Sequence, residues 1–331
     1  MLRTPCLALA AALLVSACGS AADSNTESAT TSTAAEPTAR EGMLDVPGGK
    51  VWYRMLGEGR PGTPLLALHG GPGGTSCRFE ALAPLAADRP VIFYDQLGSG
   101  RSERPTDTTL WQLPRFVEEV DAVRRGLGLE RIHLLGSSWG GALAAEYMLA
   151  ARPGGVASVI FSSPLISTPR WIADADSLRE LLPEPVQQAL DVHEAAGTID
   201  SPEYAAATDS FYARHVRRLP VTPEPRCEGV TSNRDIYLQM WGPTEFRATG
   251  SLRTWSRAEQ LGEITVPTLF IAGEYDEAVP ATLETFRASM PDARLVVIPE
   301  AAHGVLREKT PEYVAAVAGF LREVESTRRQ P

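Results

Sequence analysis

From residue 43 onward, apolar positions fall into two alternating patterns. Leu65–Leu68, Val91–Tyr94, Ile132–Leu135, Val156–Ser162, Thr268–Ala272 and Leu295–Ile298 are short apolar runs bounded by Gly, Pro and polar residues. Runs of this length suit strands buried on both faces of a parallel sheet. Between them, Leu113–Leu127 and Trp139–Ala151 read as helices. Met43–Val46 and Lys50–Leu56 flank Pro47-Gly48-Gly49 and predict a hairpin ahead of the other strands. Strands alternating with helices imply an α/β sheet with helices on both faces.

The rhythm stops over residues 165–260. Thr168-Pro169 and Ser201-Pro202 are helix starts, and Gly197 is a helix stop. Trp171, Tyr204, Phe211, Tyr212, Tyr237, Trp241 and Trp255 are spread through the segment. The pattern predicts a lid that is helical throughout, inserted between core segments 43–164 and 261–328.

The start of the chain carries neither period. Residues 1–17 begin with Met1-Leu2-Arg3 and continue as an apolar run, Leu7–Ala17, shorter than the roughly 20 residues of a membrane span. The run ends in Val15-Ser16-Ala17-Cys18-Gly19, which resembles the bacterial lipobox. That resemblance implies a signal peptide cut before Cys18, acylation of Cys18, and export to the outer face of the cell membrane. Residues 18–42 have no aromatic residue and no aliphatic cluster. Such a segment reads as a disordered tether with a span of roughly 25–30 Å.

Composition narrows the partners. The 331 residues are 44% hydrophobic and 22% charged, with a net charge of −10. The acidic balance argues against nucleic acid, whose phosphates call for clustered Lys and Arg. Membrane contact is expected through the lipid anchor alone. Of the four cysteines, Cys6 leaves with the leader and Cys18 carries lipid. Cys77 and Cys227 remain, as a bridge or as two free thiols, in a compartment that permits disulfides.

The strongest chemical signal is Gly136-Ser137-Ser138-Trp139-Gly140-Gly141, directly after a predicted strand. The Gly-x-Ser-x-Gly register fits Ser138 and predicts a sharp strand-to-helix turn that exposes its hydroxyl. A serine nucleophile needs a base, and the base needs an orienting carboxylate, in the chain order Ser, acid, His. His303, in the loop after Leu295–Ile298, satisfies that order. His69 precedes the serine, His133 lies within a strand, and His193 and His215 fall in the insertion. Gly273-Glu274-Tyr275-Asp276-Glu277 supplies the acid: Asp276 is chosen, with Glu274 and Glu277 read as solvated. Asp95 is given a structural role. The oxyanion donors are expected to be the Trp139 amide and, from His69-Gly70-Gly71-Pro72-Gly73-Gly74, the Gly71 amide. No Gly-Lys-Ser/Thr follows this glycine loop, so it is not read as a phosphate cradle.

His69–Gly73, Asp95–Ser102, Gly136–Gly141, Gly242–Phe246 (GPTEF) and Gly273–Pro280 together resemble the proline iminopeptidase family of α/β-hydrolases. The likeness is to the branch containing the tricorn-interacting aminopeptidase and amino-acid amidases, and it covers about residues 43–325. It implies the α/β-hydrolase fold and a serine peptidase that removes N-terminal residues, often proline, from short peptides without metal or cofactor. It also implies the triad Ser138, Asp276 and His303, with Gly71 and Trp139 at the oxyanion hole. Glu245 of the GPTEF stretch is implied to bind the substrate's free α-amine. Glu224 is the candidate for a second lid acid, ahead of Glu203. The rival expectations are an esterase or amidase acting without a free amine, and a non-catalytic surface-binding lipoprotein.

Overall fold

The computed structural model describes residues 38–327. The signal peptide, Cys18 and most of the expected tether lie outside the described residues. An eight-stranded sheet has the order β1-β2-β4-β3-β5-β6-β7-β8. Its strands are β1 (Ala39–Val46), β2 (Gly49–Leu56), β3 (Leu65–Leu68), β4 (Val91–Tyr94), β5 (Ile132–Ser137), β6 (Val156–Ser162), β7 (Thr268–Gly273) and β8 (Ala293–Ile298). β2 runs antiparallel to β1 and β4, and the remaining neighbours pair parallel.

Alternate residues of the central strands enter two cores. Leu66, Leu68, Ile92, Tyr94 and Leu134 join one cluster, and Leu65, Ala67, Val91, Phe93 and Leu135 join the other. Burial on both faces is the reason these strands read as unbroken apolar runs. The first core is covered by α1 (Leu113–Gly126) and α2 (Trp139–Glu146), the latter continuing as a π-helical turn, Tyr147–Ala151. The second is covered by a 3-10 segment, Ser76–Ala87, and by the last helix.

The chain leaves the sheet after Ser162 and returns at Thr268. The excursion carries α3 (Thr168–Arg179), α4 (Glu184–Ala196), α5 (Pro202–His215) and α6 (Arg234–Met240). Ser201 caps α5 as read, its Oγ accepting the Tyr204 N–H at 3.1 Å, whereas the cap of α3 is Ser167 rather than Thr168, with Ser167 Oγ accepting the Arg170 N–H at 3.4 Å. Gly197 ends α4 in the left-handed region at φ 71°. Leu190, Tyr204, Phe211 and Phe246 give the lid its own core. The final elements are α7 (Pro280–Ala288), α8 (Val305–Glu308) and α9 (Thr310–Thr327).

Three expectations change. The tether does not extend to residue 42, because Ala39–Gly42 belong to β1 and pair with Leu56–Tyr53. Their polar pattern hides a strand held by an ordered partner, with Arg40 stacked on Tyr53 and paired with Glu58. The lid is not helical throughout. Residues 216–233 and 241–257 are irregular apart from a 3-10 turn, Pro225–Cys227, since Pro220, Pro223, Pro225 and Pro243 break helical hydrogen bonding. Finally, Glu277 is buried, as described below. The cysteine alternatives resolve to a Cys77–Cys227 disulfide spanning 150 residues of sequence, with the Cα atoms 5.7 Å apart. It fastens the irregular lid loop to the 3-10 segment behind the glycine loop.

Candidate active site

Ser138 sits between β5 and α2 with φ 56° and ψ −121°, a conformation that costs a non-glycine residue energy. Its surroundings explain the small residues. A Cβ on Gly136 would strike the Gly140 carbonyl, and one on Gly140 would strike the Leu68 and His69 carbonyls. A Cβ on Gly141 would lie 2.6 Å from Pro164. Backbone bonds hold the strained residue in place: its N–H donates to Ser162 O at 2.9 Å, and its carbonyl accepts from Gly141 at 2.8 Å and Leu165 at 3.1 Å.

The glycine loop after β3 lies directly against this turn. A Cβ on Gly70 would stand 3.0 Å from Ser138 Cβ, and one on Gly71 (φ 123°) would collide with the Gly74 amide. His69 supports the loop. Burial lowers its pKa to about 4, so the ring is neutral near pH 7. Nδ1 donates to Gly70 O at 2.8 Å, and Nε2 accepts the Gln96 N–H at 2.9 Å. Gln96 in turn accepts the Trp139 indole N–H at 2.9 Å. Gly71 and Trp139 border one narrow pocket with Ser138, and neither amide donates to an acceptor among the described residues. Two free donors at a nucleophile can stabilise developing negative charge.

His303 and Asp276 follow β8 and β7. Both are buried, and His303 Nδ1 lies 2.9 Å from Asp276 Oδ1. Asp276 is fixed by the amides of Ala278 at 2.8 Å and Gly273 at 3.3 Å. With Nδ1 engaged, Nε2 is the nitrogen left to take a proton from a hydroxyl. His303 packs edge-on against Trp171, which borders the Ser138 pocket.

The lid holds these loops through the end of α5. A helix C-terminus leaves its last carbonyls without partners. Here His215 O accepts the amides of Glu277 at 3.3 Å and His303 at 3.1 Å, and Val216 O accepts that of Gly304 at 3.0 Å. One helix end therefore sets the positions of the Asp276–Glu277 loop and the His303 loop together. No sequence signal marked His215 or Val216 for this role.

Glu245 enters from the lid. Its N–H donates to the Tyr212 hydroxyl at 3.1 Å, and its carbonyl accepts the Trp171 indole N–H at 3.0 Å. The neighbouring Thr244 carbonyl accepts from Trp241 at 2.9 Å. Three aromatic side chains thus fix the GPTEF turn. Burial raises the pKa of Glu245, against the pull of the His303, Tyr237, Arg78 and Arg217 groups around it. Glu277, read from sequence as solvated, is 1% exposed, and neither of its carboxyl oxygens has a hydrogen-bond partner among the described residues. Its Oε1 is 3.8 Å from His303 Nδ1. Burial, then the charges of Glu245 and Asp276, push its pKa well above the carboxylate range. The missed signal is its place, one residue after the acid at the end of a strand.

Glu224 does not join this group. It caps the Pro225–Cys227 turn by accepting the Arg226 N–H at 3.2 Å, and it lies near Glu80. Glu203 is exposed at the start of α5, and Glu274 is exposed and accepts the Glu300 amide at 2.9 Å. Asp95 accepts from Ser76 N at 2.7 Å, Ser76 Oγ at 2.8 Å and Arg101 N at 2.8 Å, which is a loop-building role.

Comparison with known proteins follows the same line. The family model described as the alpha/beta hydrolase fold matches residues 63–310. A proline iminopeptidase of Heyndrickxia coagulans is 45% identical over 286 residues, covering 86% of this chain and 99% of the relative. The crystal structure of the Mycobacterium smegmatis proline iminopeptidase has a TM-score of 0.77 at 37% identity, covering 87% of this chain and 100% of that one. The crystal structure of VinJ has a TM-score of 0.79 at 34% identity, over 87% and 99%. With strand order, nucleophile turn and relatives in agreement over nearly the whole described region, the chain belongs to the proline iminopeptidase family of α/β-hydrolases.

Proposed function

We propose that this protein is a serine aminopeptidase that releases the first residue, proline foremost, from short peptides through an acyl-enzyme. The observation that carries the reading is the pair of carboxyls, part-buried Glu245 and buried Glu277, beside His303 and the Ser138 pocket. Among the described residues neither carboxyl has an Arg or Lys within ion-pair distance, and a substrate ammonium supplies that partner. The α-amine and the first carbonyl belong to one residue, so anchoring the amine presents that carbonyl to Ser138. A pyrrolidinium carries two N–H donors, one for each carboxylate, and its ring suits walls made by Trp171, Trp241 and Leu165.

In this mechanism His303 Nε2 takes the Ser138 proton as Oγ bonds to the first carbonyl carbon. The oxyanion is held by the Gly71 and Trp139 amides. His303 then returns the proton to the departing nitrogen as the peptide bond breaks. Water, deprotonated by the same imidazole, hydrolyses the aminoacyl ester and restores the hydroxyl. The test is a substrate panel: prolyl and other aminoacyl arylamides, their N-acetyl forms, and a short-chain ester. Turnover of the free-amine arylamides, with at least about a hundredfold loss on N-acetylation, is the expected result. Cleavage of the ester alone would replace the reading with an esterase, and inertness toward all three would replace it with a binding protein.

We further propose export as a lipoprotein acylated at Cys18. The Cys77–Cys227 disulfide supports this, since such bonds persist in oxidising compartments. Replacing Cys18 by Ala is expected to move the protein from the membrane fraction to the soluble one, because no other lipid attachment is read. An unchanged membrane fraction would remove the proposal.

A further inference from the structure

The Ser138 turn has a second side. A cavity of about 240 Å³ opens beyond His303, with His303 and Ser137 in its wall. His303 is the group that protonates the departing nitrogen, so the leaving portion of a substrate extends to this side. The opposite side, with Trp171, Trp241 and Glu245, holds the first residue.

The charge lining this cavity is unbalanced. Arg78, Arg217 and Arg307 border it, against a single carboxylate, Glu308. That carboxylate already accepts the amides of Arg218 at 2.6 Å and Ala302 at 2.7 Å. Arg307 donates to the Thr222 carbonyl, and Arg217 reaches Asp209 at 3.8 Å on the exposed rim. Arg78 is the innermost and part-buried. Its one hydrogen bond goes to Ser137 Oγ at 3.4 Å, and no carboxylate lies within ion-pair distance among the described residues. Burial lowers its pKa.

Other withdrawn arginines in this protein have fuller sets of partners: Arg124 donates to the Tyr147 hydroxyl at 2.8 Å and to the Glu130 and Gly154 carbonyls at 3.1 and 3.0 Å, and three others meet carboxylates. Arg54 pairs with Glu41 and Glu80, Arg89 with Glu325, and Arg115 with Glu119. A partly desolvated guanidinium with one long hydrogen bond and no carboxylate beside it is costly to keep, unless a ligand anion completes it. The residue is also held firmly, because the adjacent Cys77 is bridged to Cys227 of the lid loop.

We propose that Arg78, with Arg307 and Arg217 toward the mouth, binds the C-terminal carboxylate of the departing peptide. The inference rests on the aminopeptidase reading and adds a preference to it. A guanidinium fork matches a carboxylate in two parallel hydrogen bonds, which an amide or an arylamine cannot reproduce. A cavity of about 240 Å³ suits a short leaving group, so free di- and tripeptides are favoured over longer or C-terminally capped ones.

The test compares kcat/KM of the full chain for prolyl-alanyl-alanine and for its C-terminal amide, with a prolyl arylamide as reference. The free acid is expected to be preferred by about tenfold or more, a preference that weakens as salt is raised. Arg78→Met brings the acid-to-amide ratio to within about twofold of unity, and Arg78→Lys retains an intermediate ratio. Equal cleavage of acid and amide by the unaltered protein would overturn the proposal, whether or not the variants fold. An Arg78→Met variant that loses both substrates alike would also overturn it, since Arg78 would then act through the charge of Glu245. Failure to cleave the arylamide would strike at the aminopeptidase reading itself, and is a separate result.

Discussion

Ser138→Ala lowers kcat on a prolyl arylamide by about a millionfold, the scale on which loss of the nucleophile acts in a triad that works as a unit. The substitution removes one oxygen. It does not relieve the backbone, because alanine meets the same penalty as serine at φ 56°. The turn stays closed through the Ser162, Leu165 and Gly141 hydrogen bonds, none of which uses the hydroxyl. Thermal unfolding therefore stays within about 2 °C of the parent, and prolinamide still binds, since Glu245 and Glu277 are untouched. Ser138→Gly separates the two effects: it is equally inactive but more stable by about 1 kcal/mol, as the strain is released. Steady-state assay with calorimetry decides the matter. Retention of more than about one per cent of turnover in either variant would remove Ser138 from the mechanism.

Much of this architecture was legible in the chain, for an identifiable reason. β3, β4 and β6 coincide with their apolar runs because a doubly buried strand must be apolar throughout. The Ser138 turn was legible because close backbone approach at Gly136 and Gly140 admits no side chain, whatever surrounds it. What escaped depends on contacts distant in sequence. The first residues of β1 are polar and gain their order from β2. The disulfide joins residues 150 positions apart. Glu274, Asp276 and Glu277 look alike in sequence, and their fates are decided by neighbours. Glu274 stays in solvent, Asp276 meets His303, and the end of α5 closes over Glu277. The lid acid Glu224 failed to converge for the same reason, since its turn is tied through Cys227 to Cys77 rather than turned toward the pocket.

Glu277→Gln is expected to move activity and stability in opposite directions. On free-amine substrates kcat/KM falls by about a hundredfold or more, the scale of removing one partner from a buried charge pair. A short-chain ester, with no ammonium to anchor, loses less than about tenfold, reflecting the 3.8 Å approach of Glu277 to His303. Stability follows from the raised pKa. The folded state binds the Glu277 proton more tightly than the unfolded chain does. The stability from that proton is complete below the ordinary glutamate value near 4.5, and is lost as pH rises toward the raised value. Glutamine carries no such penalty, so the Tm of the variant exceeds that of the parent by a margin that widens as pH rises from about 4.5 to the raised value and is level above it. Saturating prolinamide reverses the order, because the ammonium compensates a charge that only the parent can offer. The same ionisation shapes catalysis. The acid limb of kcat/KM for free-amine substrates lies above the carboxylate range in the parent and changes in the variant, while the ester shows no such change. Equal losses on amine and ester substrates, or a Tm difference that stays flat with pH, would remove Glu277 from amine binding.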